Sequence, residues 1–154
     1  MNQNILVKPL DKGSPIPFEL LYSADPSPEA VRDYLIRGFC YVAYAGDETV
    51  GEYVLLPTRP FTIELVNLAV AERYQNKGYG KLLIRHAIGI AKGKGYKVLE
   101  VGTGNAGIGQ LALYQKCGFT ITSVDFDFFR KHYPEPIFEN GIECRHMIRM
   151  SMDI

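Results

Sequence analysis

The chain has 154 residues, a formal net charge of zero and an apolar fraction of 47%. This length fits one domain over 1–154, with a core large enough to need neither disulfides nor a metal. The balanced charge supplies no overall basic field for nucleic acid or an anionic membrane. The three cysteines form no paired motif, and the first residues show no signal-peptide pattern. We therefore expect free thiols, a cytoplasmic location and no membrane span.

The first half of the chain predicts a strand, two helices and then three consecutive strands. Ser27 followed by Pro28 marks the second helix start, because serine caps a helix and proline suits its first position. Apolar runs rich in aromatic and β-branched residues predict the three strands. The predicted elements are strand 5–10, helices 18–24 and 28–37, and strands 39–45, 49–56 and 61–70.

The second half alternates helices and strands. Apolar residues at helical spacing predict a helix that two glycines, Gly93 and Gly95, bring to an end. Asn140 and Gly141 mark a turn before the last strand. The predicted elements are helix 81–92, strand 97–101, helix 111–116, strand 119–125, an irregular or partly helical segment 127–136, and strand 143–152.

The stretch 70–83 joins a strand to an amphipathic helix through a loop that contains Gly78 and Gly80. The first amides of a helix lack intrahelical partners and, together with the helix dipole, attract anions. Glycines allow the backbone to approach a phosphate closely. Three basic residues lie in or beside this loop: Arg73, Lys77 and Lys81. From the residues alone, a pyrophosphate site and an ordinary helix cap both remain open.

Two short motifs resemble those of the GNAT superfamily of acetyl-CoA-dependent N-acetyltransferases. The loop 75–80, Q-N-K-G-Y-G, matches the pattern (Q/R)-x-x-G-x-(G/A), and 111–119, L-A-L-Y-Q-K-C-G-F, resembles the helix-to-strand junction A-x-x-L-Y-x-x-x-G-F. Each motif alone is weak, but both stand on the expected elements in the expected order. The resemblance covers essentially the whole chain and is to the small, single-domain bacterial members.

The resemblance implies an α/β fold, classed by some schemes as α+β. It has a central mixed, mostly antiparallel twisted sheet of about six to seven strands and about four helices. The implied order is β-α-α-β-β-β-α-β-α-β-β. The implied cosubstrate is acetyl-CoA, whose acetyl group passes directly to an amine. The implied cofactor-binding residues are Leu68, Ala69, Val70, Gln75, Asn76, Lys77, Gly78, Tyr79, Gly80, Lys81 and Asn105.

Among these residues, the strand and the asparagine have distinct roles. The backbone of 68–70 is expected to pair with pantetheine, and one of its amides to polarise the acetyl carbonyl. Asn105 is a weaker candidate, because it precedes Tyr114 by nine residues where the family pattern has seven. A turn-forming role for Asn105 is the favoured interpretation.

Two side chains are candidates for proton transfer, since the amine must lose a proton and the departing thiolate must gain one. The resemblance places Tyr114 near the sulfur of coenzyme A, as the acid. Glu64 has the offset from the phosphate loop that the general base has in histone acetyltransferases of this superfamily. The structural alternatives are a core aromatic for Tyr114, and for Glu64 an edge-strand ion pair with an arginine such as Arg59.

Two other functions remain in view. Residues 102–107, G-T-G-N-A-G, also match G-x-G-x-x-G, with Asp125 at the end of the next strand, as in a dinucleotide-binding unit. Too few strands follow to build that sheet. A binding module that senses coenzyme A or an amine without turnover is the second alternative. The three histidines show no ligand spacing, so no metal site is expected.

The identity of the acceptor stays open at this stage. A small-molecule amine, an amino acid and a protein N-terminus all fit, whereas indole-acetic acid has no basic amine for this chemistry. Residues 125–133 interleave aromatic and charged side chains and are expected to form a wall of the acceptor site. Homodimers are common in the family, although no feature of this sequence indicates one.

Overall fold

The computed structural model describes residues 4–154, which form nine strands, five α-helices and one 3₁₀ turn. The strands are β1 (Ile5–Pro9), β2 (Phe39–Ala45), β3 (Glu48–Arg59), β4 (Thr62–Val70), β5 (Val98–Gly104), β6 (Thr120–Asp125), β7 (Phe138–Glu139), β8 (Ile142–Glu143) and β9 (Met147–Asp153). The helices are α1 (Phe18–Ala24), α2 (Pro28–Arg37), α3 (Tyr79–Gly93), α4 (Ile108–Lys116) and α5 (Phe128–His132), and the 3₁₀ turn is Glu72–Tyr74.

Seven strands form one sheet in the order β1-β2-β3-β4-β5-β9-β6, while β7 and β8 form a separate hairpin. The neighbouring strands of the sheet are antiparallel except for β4 and β5, which are parallel. The predicted mixed, mostly antiparallel sheet is therefore confirmed. Five helices are present rather than about four, because α5 forms inside the segment predicted to be irregular or partly helical.

The prediction of one strand over 143–152 is wrong in its first part. β8 ends at Glu143 and pairs with β7, and β9 begins only at Met147. Between them, the backbone amides of 145–146 donate to the side-chain oxygen of Asn105 at 2.8 and 2.9 Å. These amides are thus withdrawn from any strand ladder, a tertiary contact that the apolar pattern does not reveal.

Local turn and cap chemistry agrees with the sequence. The Ser27 hydroxyl accepts a hydrogen bond from the amide of Ala30 at 3.2 Å and so caps α2. Asn140 and Gly141 have φ angles of 53° and 73° and form the turn of the β7–β8 hairpin. Two successive left-handed residues are what a type I′ turn requires, and asparagine followed by glycine supplies them at low cost.

The pairing of β4 with β5 ends half-way along both strands. Parallel pairing joins Thr62–Leu65 to Val98–Val101 and then stops, although β4 continues to Val70 and β5 to Gly104. Val66 has no partner in the register between β3 and β4, which makes it a β-bulge. The bulge follows Leu65, the last residue of β4 that pairs with β5. Because a bulge bends its strand and increases the local twist, it carries β4 away from β5 and opens a gap in the sheet.

Helices cover the two faces of the sheet unequally. α3 packs on β3 and β4 from one face, and α1 and α2 pack on β2, β3 and β4 from the other. The larger apolar cluster lies under α3, and it includes Leu83, Ile84 and Tyr114. A smaller cluster under α1 and α2 includes Leu21 and Val31. The gap between β4 and β5 is therefore bordered by helices of both layers. Within residues 4–154, no helix is both long enough and apolar enough to span a bilayer.

Replacing Leu83 by alanine should lower the free energy of unfolding by about 2–5 kcal/mol, because the side chain is fully buried against the sheet and its removal leaves a cavity. The matched control is Leu82→Ala on the same helix, where the side chain is 37% exposed and should contribute far less. Urea unfolding of both variants measures the difference. Equal losses at the two positions would contradict the assignment of the buried face of α3.

Candidate active site

An open cleft of about 350 Å³ occupies the gap between β4 and β5. This volume is within the range of roughly 300–1,000 Å³ that is usual for small-molecule sites. Residues 65–70 of β4 form one wall, and residues 102–104 of β5 form the opposite wall. Tyr114 of α4 and the turn between α1 and α2 also line the cleft. A ligand can therefore be contacted from both faces of the sheet.

Backbone groups of β4 point into this cleft. The amide of Ala71 donates to the carbonyl of Val50 in β3 at 2.7 Å. Because backbone groups alternate in direction along a strand, the N–H and C=O groups of Val70 and Leu68 face the gap. Those of Ala69 face β3, so the expectation that its backbone pairs with pantetheine is corrected. The side chain of Ala69 lines the cleft instead.

The loop before α3 presents a row of free amides. Asn76 and Gly78 have φ angles of 59° and 87°, and this alternation of left-handed and right-handed residues makes a concave backbone. The first hydrogen bond of α3 runs from the amide of Leu82 to the carbonyl of Gly78. The three preceding amides, at 79–81, therefore have no partner within the helix. They form an anion site at a helix N-terminus.

The remaining predicted loop residues divide into positioning and charged groups. The Gln75 side chain donates to the carbonyl of Val70 at 2.9 Å and so ties the loop to the end of β4. Arg73 forms an ion pair with Glu48, which neutralises part of its charge. Lys77 and Lys81 are exposed and have no carboxylate partner among residues 4–154. The net positive charge beside the anion site therefore comes from these two lysines.

Tyr114 reaches the cleft from α4 and is only 6% exposed. Its ring packs edge-to-face on Phe119 with centroids 5.7 Å apart, which fixes the ring in the core. Burial raises the pKa of the phenol, and the nearby carboxylate of Glu52 raises it further. The phenol is therefore protonated at neutral pH. Both the core role and the functional role predicted for Tyr114 fit this position.

Glu64 lies on the paired part of β4, one residue before the cleft wall begins, and does not itself line the cleft. β4 is a central strand, so the interpretation of Glu64 as an edge residue is wrong. Arg59 forms its ion pair with Glu100, at 2.9 Å, rather than with Glu64. Burial raises the pKa of Glu64, and Glu100 adds to that effect, while Arg149 and Arg59 oppose it.

A chain of hydrogen bonds lines the cleft on the side of α1 and α2. The carboxylate of Asp25, in the turn between these helices, accepts from the hydroxyls of Tyr133 at 2.7 Å and Tyr34 at 3.2 Å. The Tyr34 hydroxyl accepts in turn from the side-chain amide of Asn67 at 2.7 Å. The same amide group donates to the carbonyl of Leu21 at 3.0 Å. The chain connects the acidic wall of the cleft to the bulged part of β4.

The model of the acetyltransferase (GNAT) family matches residues 14–119. This chain belongs to the GNAT acetyltransferase family. It is 57% identical to the uncharacterized N-acetyltransferase YvbK of Bacillus subtilis (strain 168) over 137 residues, which are 89% of this chain and 88% of that protein.

Two solved structures agree over nearly the whole length. A GNAT family acetyltransferase from Elizabethkingia anophelis with acetyl-CoA bound has a TM-score of 0.97 at 49% identity and covers 99% of this chain and 100% of its own. The IAA acetyltransferase from Bacillus cereus ATCC 14579 has a TM-score of 0.94 at 54% identity and covers 98% and 100%. The fold implied by the two sequence motifs is thus the fold of this GNAT protein.

The second glycine motif, 102–107, is not a nucleotide loop in this GNAT fold. Gly102 and Gly104 lie within β5 and pair with β9, so the first two glycines of the motif belong to the sheet and not to the turn before α4. A Cβ atom on Gly104 would lie 2.1 Å from the sulfur of Cys144, and one on Gly102 would lie 2.8 Å from the sulfur of Met147. The neighbouring side chains leave no space for a Cβ atom at these two positions, which explains why they are glycines. The dinucleotide-binding alternative is therefore wrong.

Asn105 serves the structure rather than the cleft. Its side-chain oxygen accepts from the amides of Arg145 and His146, and its side-chain nitrogen donates to the carbonyl of Glu143 at 3.1 Å. It does not line the cleft. These bonds agree with the favoured interpretation of Asn105 as a turn-forming residue, and its contact with the cofactor stays a prediction.

The aromatic and charged segment 125–133 contributes two aromatic side chains to a wall of the cleft. Phe129 and Tyr133 line the cleft, with ring centroids 5.4 Å apart. The charged side chains of the segment do not line the cleft, and Asp127 pairs with Arg145. The cleft therefore receives aromatic surface, but no positive charge, from this segment.

Glu52 is a buried carboxylate that the sequence interpretation missed. It lies on β3 opposite Ala69, is 0% exposed, and both its oxygens lack a partner among the described residues. An unpaired buried carboxyl group is expensive unless it is protonated. Accordingly, burial raises the pKa of Glu52 well above its ordinary value of 4.5. The available signal was a single acidic residue inside the apolar run 50–56.

Asp25, Tyr34 and Asn67 were also not predicted to belong to the site. Asp25 follows a helix and precedes the capped start of α2, a position where aspartate is common as a turn residue. Tyr34 has the helical spacing of a core aromatic residue. Asn67 interrupts the apolar character of β4, and that interruption was the one sequence signal for this chain of hydrogen bonds.

Glu52→Gln should flatten the pH dependence of stability. A carboxyl whose folded-state pKa is raised holds a proton that the unfolded chain releases above pH about 4.3. Wild-type stability therefore falls as pH rises from that value toward the folded-state pKa, by at most about 1.4 kcal/mol per pH unit. Glutamine has the same shape and does not titrate, so the stability of the variant relative to wild type should increase with pH.

Urea unfolding of wild type and Glu52→Gln at a series of pH values tests this expectation. Glu135→Gln is the matched control, because Glu135 is an exposed glutamate. Parallel stability curves for wild type and Glu52→Gln would show that Glu52 is solvated in the native state.

Proposed function

We propose that this protein binds acetyl-CoA in the gap between β4 and β5 and transfers its acetyl group directly to an amine. The observation that carries the proposal is the position of the gap, which leads directly to the free amides before α3. In this arrangement the pyrophosphate contacts the amides of 76–81 and the charges of Lys77 and Lys81. Pantetheine pairs with the backbone of Leu68 and Val70. The acetyl-CoA bound to the related Elizabethkingia protein supports this assignment.

The reaction follows from the groups that surround the thioester in this arrangement. The amine nitrogen attacks the acetyl carbonyl carbon, and a carbon–nitrogen bond forms while negative charge develops on the carbonyl oxygen. A backbone N–H of β4 that faces the gap stabilises that charge. The carbon–sulfur bond then breaks, coenzyme A leaves as a thiolate and the acetylated amine loses a proton. Positioning of the two substrates on opposite sides of one gap supplies much of the rate.

Tyr114 is proposed to donate the proton or a hydrogen bond to the departing sulfur. Burial raises the pKa of Tyr114, which by itself makes the phenol a weaker acid. The same dry environment raises the pKa of a thiol, so the thiolate becomes a stronger base in parallel. The hydroxyl makes no hydrogen bond to the protein among residues 4–154 and is free to serve the ligand.

Glu64 is proposed as the general base that acts through water. Its carboxylate has no ion-pair partner among residues 4–154, and its raised pKa brings it closer to the range that suits a base at neutral pH. Because Glu64 lies just outside the cleft, direct contact with the amine is not part of the proposal. A water molecule between them would relay the proton. A module that binds coenzyme A or an amine without turnover is the second candidate function. The observation that favours it is the position of Glu64 outside the cleft lining.

The cytoplasm remains the proposed location. Cys40, Cys117 and Cys144 are all free thiols in the structure. Free cysteines, one of them packed in the core, agree with a reducing compartment. Intracellular acetyl-CoA would be available to the enzyme there.

Gly78→Asp should weaken the binding of coenzyme A at least tenfold relative to Gly78→Asn. Both side chains tolerate the left-handed conformation of this residue, and a Cβ atom here meets nothing within 4 Å. The two variants therefore have nearly the same shape and strain but differ in one negative charge, which repels the pyrophosphate. Titration calorimetry with coenzyme A measures both affinities. Equal affinities would exclude the loop from the binding site.

Tyr114→Phe should reduce kcat by on the order of 10² to 10⁴ and leave the affinity for acetyl-CoA nearly unchanged. The ring and its contact with Phe119 remain, and only the hydroxyl is lost. Release of free thiol with any accepted amine gives kcat, and calorimetry gives the affinity. A fully active variant would mean that solvent protonates the thiolate and that Tyr114 is a core residue.

A further inference from the structure

The charged side chains that line the cleft are both acidic, Asp25 and Glu139. No lysine or arginine lines it among residues 4–154. The arginines of the adjoining segment are engaged elsewhere, since Arg130 and Arg145 form ion pairs with other carboxylates. The lysines that suit a polyphosphate lie beyond the cleft, at the start of α3. The charged lining of the cleft is therefore entirely negative, and Asp25 supplies it on the side of α1 and α2.

On the side of α1 and α2, the side-chain atoms of the cleft that can still form hydrogen bonds are acceptors. Asn67 is 4% exposed and lines the cleft, and both hydrogens of its side-chain nitrogen are taken, by Leu21 and Tyr34. Its side-chain oxygen has no partner among the described residues. Because the carbonyl of Leu21 can only accept, the network fixes which side-chain atom is the oxygen. Asp25 accepts two phenols and one backbone amide and has room for a further donor.

From these groups we infer that the acceptor is a diamine-like cation without a carboxylate, whose second nitrogen is held by Asp25 and Asn67 while its first nitrogen is acetylated. This inference rests on the proposed function, since it places the acceptor in the same gap as acetyl-CoA. Asp25 and Asn67 lie on the face of α1 and α2. The phosphate loop and Tyr114 belong to the opposite layer. The two substrates thus enter from opposite faces of the sheet.

The role of the second nitrogen follows from proton balance. A carboxylate stabilises a neighbouring ammonium and raises its pKa, which opposes formation of the neutral amine that attacks the thioester. Asp25 therefore suits a nitrogen that stays protonated, whereas the reacting nitrogen must lie away from it. Two nitrogens on one flexible chain satisfy both conditions. The rings of Phe129 and Tyr133, which line the same cleft, provide apolar surface for the carbons between them.

A carboxylate on the acceptor would be unfavourable for the complementary reason. It would lie beside Asp25 or Glu139 with no positive side chain of the cleft to neutralise it. Removing such a group from water without a partner costs more than the contacts of a small molecule return. Amino acids and indole-acetic acid are therefore expected to be poor acceptors or none.

Matched acceptors test the inference with the full chain and acetyl-CoA. Putrescine and cadaverine carry two nitrogens, butylamine and pentylamine lack the second one, and ornithine and lysine add a carboxylate. We expect kcat/KM for the diamines to exceed that for both other groups by roughly tenfold or more, because a charge-assisted hydrogen bond is gained or a charge is left unpaired. Indole-acetic acid serves as the acceptor that should give no product.

Asp25→Asn assigns the effect to the carboxylate. It should raise KM for the diamines roughly ten- to hundredfold, by a much larger factor than KM for pentylamine, while KM for acetyl-CoA changes little. Asp25 also accepts hydrogen bonds from two tyrosines, so its replacement affects the packing of the cleft as well as its charge. Glu139→Gln, at an exposed residue of the cleft, is therefore a second variant, and it should raise KM for the diamines by a smaller factor. Glu135→Gln, an exposed glutamate that does not line this cleft, is the control and should change neither constant.

The outcomes separate this inference from the proposed function. Acetyl-CoA binding with turnover of monoamines or amino acids at least equal to that of diamines would overturn the inference and leave the acetyltransferase assignment in place. Acetyl-CoA binding with no turnover of any diamine would also overturn it. Failure to bind acetyl-CoA at all would contradict the proposed function itself. Diamine preference that is lost in Asp25→Asn is the supporting result.

Discussion

The early end of the β4–β5 pairing is the constraint on which the site depends. A sheet is normally closed by hydrogen bonds between neighbours, and an open seam leaves backbone groups unsatisfied. Here the seam begins at the bulge of Val66 and is bordered by β3 and β9, which remain paired with the two diverging strands beyond the bulge. The protein therefore has a rigid slot whose walls offer backbone donors and acceptors. A slot of this kind favours an extended ligand with amide groups of its own.

The same bulge also determines which side chains face the acceptor. An extra residue in β4 places Val66 and Asn67 on the side of α1 and α2, where Asn67 bonds to Leu21 and Tyr34. Tyr34 and Tyr133 then hold Asp25 from two sides. One local irregularity of the backbone thus opens the cosubstrate slot and anchors the acidic wall opposite it. Charge is separated along the cleft, with lysines near the phosphate loop and the carboxylate of Asp25 at the α1–α2 turn.

The interior beside the cleft is more polar than a core usually is. Glu52 has no partner for either carboxylate oxygen, and Asn67 has none for its side-chain oxygen, among residues 4–154. Buried polar atoms without partners lower stability, so both side chains are costly to the fold. Glu52 lies opposite Ala69, a residue that lines the cleft.

The sequence by itself determined most of the elements, their order up to β6 and the phosphate loop. Hydrophobic periodicity, the Ser27–Pro28 cap and the Asn140–Gly141 turn are local properties, so they could be read from neighbouring residues. The loop 75–80 was predictable for the same reason, because its free amides and left-handed glycine follow from a few consecutive positions. Tyr114 was identified by the resemblance of its motif, since a tyrosine on an amphipathic helix looks locally like any core aromatic residue.

Only the tertiary structure decided the rest. Asn105 and the glycines at 102–104 carried motif-like spacing, yet contacts with residues some forty positions away gave them structural roles. Asp25, Tyr34 and Asn67 come from three separate elements and meet only because α1 and α2 pack over the bulged part of β4. Glu52 became notable only when both faces of β3 were seen to be covered. Such features depend on which distant segments share a surface, and periodicity along the chain contains no information about that.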